Sequence, residues 1–274
     1  MTIVMSGDVE LYVEETGHGH PIVFVHEFGS DCREWETQVR WFSRTHRCIT
    51  YNARGYPPSA VPEDPEQYGW ELAVADLLAV LDGLGITAAH LVGLSMGGYA
   101  VLQFARLHPE RATAVVAAGA GSGSGPAERD TWPQVCATIA EAFRTRGMDA
   151  MADEIGNGAT RIQLKRKSPR AWDEFMAHLR EHSQLGMANT MARYQALRPS
   201  LYDFEEQFRA LDVPVLLAVG DEDAPCLATN LMLKQALPDA GLWIHPHTGH
   251  AINLEEPAAF NAMVDAFLAT AERR

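Results

Sequence analysis

The sequence has little with which to brace itself covalently. Only four cysteines occur in 274 residues, at positions 32, 48, 136 and 226, and no two form a Cys-x-x-Cys pair. That argues against a disulfide-stapled secreted scaffold, and the thiols read as free in a reducing compartment. Long apolar runs are missing too: no stretch reaches the roughly 18 continuous apolar residues of a membrane-spanning helix. Residues Met1 to Asp8 lack a basic segment followed by an apolar one, so a signal peptide is not expected and a cytoplasmic location is. Positive charge is scarce, with 22 Lys and Arg against 36 Asp and Glu, a formal charge of −14. Such a surface repels phosphate backbones and anionic lipid, so neither nucleic acid nor a membrane is an expected partner.

What is present suits a globular domain. Hydrophobic residues make up 47% and charged residues 21%, enough apolar material for a sizeable core. Ile3-Val4-Met5 and Val9 to Val13 read as two strands joined by a tight turn. Ile22 to Val25, Cys48 to Tyr51, His90 to Leu94, Ala114 to Ala118, Val213 to Val219 and Leu242 to Ile244 are short apolar runs, as expected of strands buried on both faces. Between them, residues 31–44, 67–84 and 97–107 have helical spacing. Strand–helix alternation predicts an α/β fold, a mostly parallel sheet flanked by helices. The alternation stops after Gly121-Ser122-Gly123-Ser124-Gly125. Residues 122–208 therefore read as a helical cap or lid inserted late in the sheet, and 1–121 with 209–274 as the core. The last residues, Glu272 to Arg274, are expected to fray.

The chemistry centres on Gly93-Leu94-Ser95-Met96-Gly97. Gly-x-Ser-x-Gly arises by chance about 0.06 times in a chain of this composition, so its place between a strand and a helix carries weight. A serine hydroxyl needs a base to accept its proton and must stand clear of its neighbours. A sharp strand-to-helix turn, with glycines giving the backbone room, meets the second need.

Ser95 with these flanks resembles the nucleophile elbow of the α/β-hydrolase superfamily, in its serine esterase and enol-lactonase-like branch. Further segments follow in that family's order. Asp223 in Gly220-Asp221-Glu222-Asp223 resembles its acid loop, with Asp221 as the alternative carboxylate. His250, in Thr248-Gly249-His250 and followed by Glu255-Glu256-Pro257, resembles its late Gly-His segment. His26 to Gly29 lies where the family keeps its oxyanion loop. The resemblance implies Ser95 as nucleophile, His250 as base, Asp223 as its orienting acid, and the backbone N–H groups of Phe28 and Met96 as oxyanion donors. It implies no cofactor and no metal, although His245-Pro246-His247 has a His-x-His spacing. The expected substrate is a small ester or lactone. Diketone carbon–carbon hydrolysis, perhydrolase or haloperoxidase-like chemistry and a slow ligand-binding relative are the alternatives. A homodimer is possible.

The sequence also departs from the family. Glu27 replaces the usual glycine of the oxyanion segment, placing a carboxylate beside the expected anion donors. Arg54, in the turn-rich Arg54-Gly55-Tyr56-Pro57 loop, is its candidate partner. In the second reading Glu27 lines the substrate pocket, with Trp132 from the insertion. Arg161, Lys165, Arg166, Lys167 and Arg170 read as a solvated basic helix face.

Overall fold

A computed structural model describes residues 2–273. Eight strands form one sheet: β1 (Thr2–Ser6), β2 (Val9–Thr16), β3 (His20–Val25), β4 (His46–Tyr51), β5 (Ala89–Leu94), β6 (Ala112–Ala118), β7 (Val215–Gly220) and β8 (Ala240–His245). Their spatial order is β1-β2-β4-β3-β5-β6-β7-β8. β1 pairs antiparallel with β2, and β2 with β4. The pairs β3–β4, β3–β5, β5–β6, β6–β7 and β7–β8 are parallel.

The apolar runs of the central strands bury both faces, and the period of two sorts them. Val23 and Val25 of β3, Leu91 of β5, Val115 and Ala117 of β6 and Val215 and Leu217 of β7 join one core. Ile22, Phe24, Val92, Leu94, Ala114, Val116, Leu216 and Ala218 point the other way into a second core. α2 (Trp70–Gly83), α3 (Met96–Leu107) and α9 (Ala224–Ala236) cover the first face. α1 (Glu36–Phe42) and α11 (Pro257–Ala271) cover the second, where Phe42, Phe260, Val264 and Leu268 pack on Phe24 and Trp35. Each large side chain so buried stabilises the fold by about 1.5–3 kcal/mol.

Between β6 and β7 the chain forms helices only: α4 (Trp132–Gly156), broken at Gly147 where φ is 80°, then α5 (Ile162–Lys167), α6 (Pro169–Glu181), α7 (Gln184–Asn189) and α8 (Glu205–Arg209). A π-helical turn, Thr190–Gln195, continues α7. The short α10 (Ile252–Glu255) follows the last strand. The helix expected over 31–44 splits into a 3₁₀ turn, Cys32–Trp35, and α1, because Asp31 caps the turn by accepting from the Arg33 amide. α9 and α11 were not expected from the sequence, although Phe260, Val264 and Leu268 are spaced four apart, as one helix face requires. Nor does Glu272 fray: its carboxylate contacts His46 Nε2 at 3.2 Å and His90 Nε2 at 3.3 Å. Arg274 lies outside the described residues. Among those residues no helix is long and apolar enough to cross a membrane.

Candidate active site

The turn from β5 into α3 is tight because two glycines leave no alternative filling. A Cβ on Gly97 would lie 2.0 Å from the Val25 carbonyl oxygen, and one on Gly93 would lie 2.3 Å from the Gly97 carbonyl oxygen. Ser95, between them, is held at φ 54° and ψ −109°, a conformation that costs a non-glycine residue on the order of 1–3 kcal/mol. Its amide donates to the Ala118 carbonyl at 2.7 Å, which ties the turn to β6. Ser95 is half-buried. Met96 opens α3, and the first N–H groups of a helix have no acceptor within it. The carbonyl of Met96 accepts from the Tyr194 hydroxyl at 3.1 Å, a contact from the inserted helices.

Asp223 and His250 come together from two loops that follow β7 and β8. Asp223 Oδ2 lies 2.9 Å from His250 Nδ1, with both side chains buried. Asp221 does not reach the ring. It accepts instead from the Thr248 amide at 3.1 Å, and so shapes the loop that carries His250. Glu255 buttresses that loop from the other end, accepting from the amides of Gly249 at 2.7 Å and Ala251 at 3.2 Å. Burial would push the His250 pKa down. The charge and hydrogen bond of Asp223 outweigh it and hold the imidazolium well above its ordinary range. No group within the described residues hydrogen-bonds to Ser95 Oγ, so the hydroxyl is free to meet an incoming atom.

The loop after β3 brings in the remaining residues. His26 is buried and kept neutral by desolvation. Its Nε2 accepts from the Ala53 amide at 3.0 Å, so Nδ1 carries the hydrogen and donates to the Glu27 carbonyl at 2.7 Å. The imidazole thus fastens this loop to the Arg54 loop. Phe28, half-buried, meets Phe143 edge-on at 6.0 Å. Phe28 and Trp132 pack against the same small apolar cluster of Cys136, Ala140, Met191 and Ala196. The Trp132 indole N–H donates to the Gln195 carbonyl at 2.8 Å, and no hydrogen bond or ring contact joins it to Ser95 or His250.

Glu27 is where the structure corrects the sequence reading most. Arg54 is not its partner. Arg54 makes a buried two-point pair with Asp76 of α2, Nη2 to Oδ1 at 2.6 Å and Nε to Oδ2 at 2.8 Å. The partner of Glu27 is Arg161, at the head of α5, with Nη2 to Oε1 at 2.6 Å. Arg161 therefore departs from the solvated basic face: it is 2% exposed, with its guanidinium over the Phe175 ring at 4.7 Å. The other carboxylate oxygen of Glu27 lies 3.7 Å from His250 Nε2. Beneath it, Glu34 accepts from the Glu27 amide at 3.2 Å. Burial first, and the charge of Glu27 second, raise the Glu34 pKa well above the ordinary carboxylate range. The imidazole is thus flanked by Asp223 on one nitrogen and by a guanidinium-neutralised carboxylate on the other. Sequence reasoning missed Arg161, Glu34 and Cys226, whose thiol faces the same ring. Only Cys226, three residues after Asp223, gave a spacing signal.

A family model described as "Alpha/beta hydrolase family" matches residues 22–263. The chain is similar to a putative 2-succinyl-6-hydroxy-2,4-cyclohexadiene-1-carboxylate synthase of Bacillus subtilis, 26% identical and covering 98% of each chain. It is also similar to 3-oxoadipate enol-lactonase 2 of Acinetobacter baylyi, 26% identical over 90% of this chain and 88% of the relative. Among solved structures, an enol-lactonase from Burkholderia xenovorans superposes with a TM-score of 0.87 at 25% identity, covering 98% of this chain and 100% of the other.

Proposed function

This chain belongs to the alpha/beta hydrolase family, and we propose that it hydrolyses a carboxylic ester or lactone through an acyl-enzyme on Ser95. The observation that carries this reading is the buried His250–Asp223 contact at 2.9 Å, at the sheet edge where Ser95 is held in its strained turn. In this reaction Ser95 Oγ attacks the carbonyl carbon as His250 Nε2 takes the hydroxyl proton. The developing oxyanion is met by the Phe28 and Met96 amides. His250 then gives the proton to the leaving alkoxide, and a water deprotonated by the same nitrogen releases the acid. Asp223 keeps Nδ1 as the donor and stabilises the imidazolium. Residues 122–208 act as a cap, anchored to the core by the Arg161–Glu27 pair and by Tyr194 on Met96. Water exclusion by such a cap strengthens each of these polar interactions.

The test is Ser95→Ala against p-nitrophenyl acetate and a panel of esters, lactones and diketones. A loss of about 10⁴- to 10⁶-fold in turnover is expected, with the fold intact by circular dichroism. A variant that keeps the wild-type rate would refute the assignment. The preferred member of the panel fixes the substrate class.

A further inference from the structure

The far side of the imidazole carries a second set of donor atoms. Cys226 stands on the first turn of α9, three residues after Asp223, so one helical turn presents both side chains to His250. The Cys226 sulfur, an Asp223 carboxylate oxygen and a His250 ring nitrogen lie within 4.8 Å of one another, and all three residues are buried. The thiol donates to the Gly119 carbonyl at 3.1 Å, and Ser122 Oγ lies 3.5 Å from the sulfur. Thiolate, imidazole and carboxylate are the three ligand types that zinc takes from proteins. Their charges also balance: one thiolate and one carboxylate neutralise a divalent ion, so the buried complex carries no net charge.

We propose that Cys226, Asp223 and His250 form an inhibitory site for a thiophilic divalent cation such as zinc. The ion bonds Cys226 Sγ, an Asp223 oxygen and His250 Nδ1, with the Ser122 hydroxyl or a water as fourth ligand. The thiol proton leaves to solvent. The single hydrogen of the neutral imidazole moves from Nδ1 to Nε2, and nothing is oxidised or reduced. Nε2 then bears a hydrogen and can no longer accept the Ser95 proton, while Asp223 is withdrawn from its orienting bond. Zinc therefore suppresses the reaction and chelation restores it, the opposite sign to a metal-dependent hydrolase.

The inhibition rests on the role proposed for His250, whereas ion binding does not, and the experiment separates the two. Chelator-treated full-length protein is titrated with zinc chloride during p-nitrophenyl acetate hydrolysis, and each variant is normalised to its own zinc-free rate. The wild type should lose at least tenfold of its activity and recover it with EDTA. Cys226→Ala and Cys226→Ser should need at least tenfold more zinc for the same fractional loss. In parallel, cobalt(II) is added to wild type, Ser95→Ala and Cys226→Ala. A near-ultraviolet thiolate-to-cobalt band is expected in the first two and not in the third. Absence of the band in wild type, its persistence in Cys226→Ala, or unchanged zinc sensitivity of the Cys226 variants overturns the site. A cobalt band in a protein that turns over no ester upholds the site and rejects the hydrolytic reading instead.

Discussion

Removing the Arg161 guanidinium should expose how much of this active site is held by one long-range ion pair. The pair spans 2.6 Å, and the side chains of Arg161 and Glu27 are 3% and 1% exposed. At an effective dielectric of about 20, two unit charges at that separation attract by about 6 kcal/mol. Part of this repays the desolvation of the two ions, so the net cost of deleting one partner is about 3–5 kcal/mol. Arg161→Met keeps the bulk against Phe175 and removes the charge, leaving a buried carboxylate unpaired. For a domain of this size the loss is worth roughly 10 °C in melting temperature. Urea unfolding and a thermal scan would measure both quantities. A second consequence is kinetic. Glu27, no longer neutralised, faces His250 Nε2 at 3.7 Å and favours the imidazolium, so hydrolysis should demand a higher pH in the variant. The double variant Glu27→Gln/Arg161→Met should recover most of both losses, because no buried charge remains. A single variant that costs less than about 1 kcal/mol, or a double variant worse than the single, would refute the reasoning.

Two other expectations follow from the same geometry. Asp223 holds the His250 pKa above 6.5, and in the proposed reaction His250 must be neutral to accept the proton, so kcat/KM should rise with pH through that raised value. An acid limb at or below 6.5 in the wild type would contradict the buried pair, and Asp223→Asn should lower the limb as well as the rate. At the elbow, Gly97→Ala drives a Cβ to 2.0 Å from the Val25 carbonyl and should cost more than about 3 kcal/mol or prevent folding. Gly125→Ala, where nothing lies within 4 Å, should change stability by no more than about 0.5 kcal/mol.

How legible the site was depended on the range over which each piece is encoded. The β3, β5, β6 and β7 runs were readable because full burial on two faces leaves an unbroken apolar signature of a few residues. Ser95 was readable because steric demands at Gly93 and Gly97 are met within five consecutive positions. Asp223 and His250 each sit in a short loop just past a strand end, and their pairing was legible through the resemblance of those loops to the family's, which left Asp221 as the alternative carboxylate. Glu27 was noticed for the same local reason, as a carboxylate where a glycine was expected. Its partner was not legible. Arg161 heads a run of cations, and nothing within that run marks it as the member that turns inward, whereas Arg54 lay in a loop expected nearby and was the natural candidate. Only the packing of α5 over the sheet edge decides between them: Asp76 of α2 captures Arg54 by two hydrogen bonds, and the aromatic face of Phe175 receives Arg161. Glu27, in the loop after β3, is thus matched by a cation from the helices between β6 and β7. The helices between β6 and β7 and the loops at the sheet edge share the charge balance of the site, so neither alone specifies the electrostatics around His250. A change that moves α5 therefore alters the protonation of the imidazole without touching Ser95, Asp223 or His250.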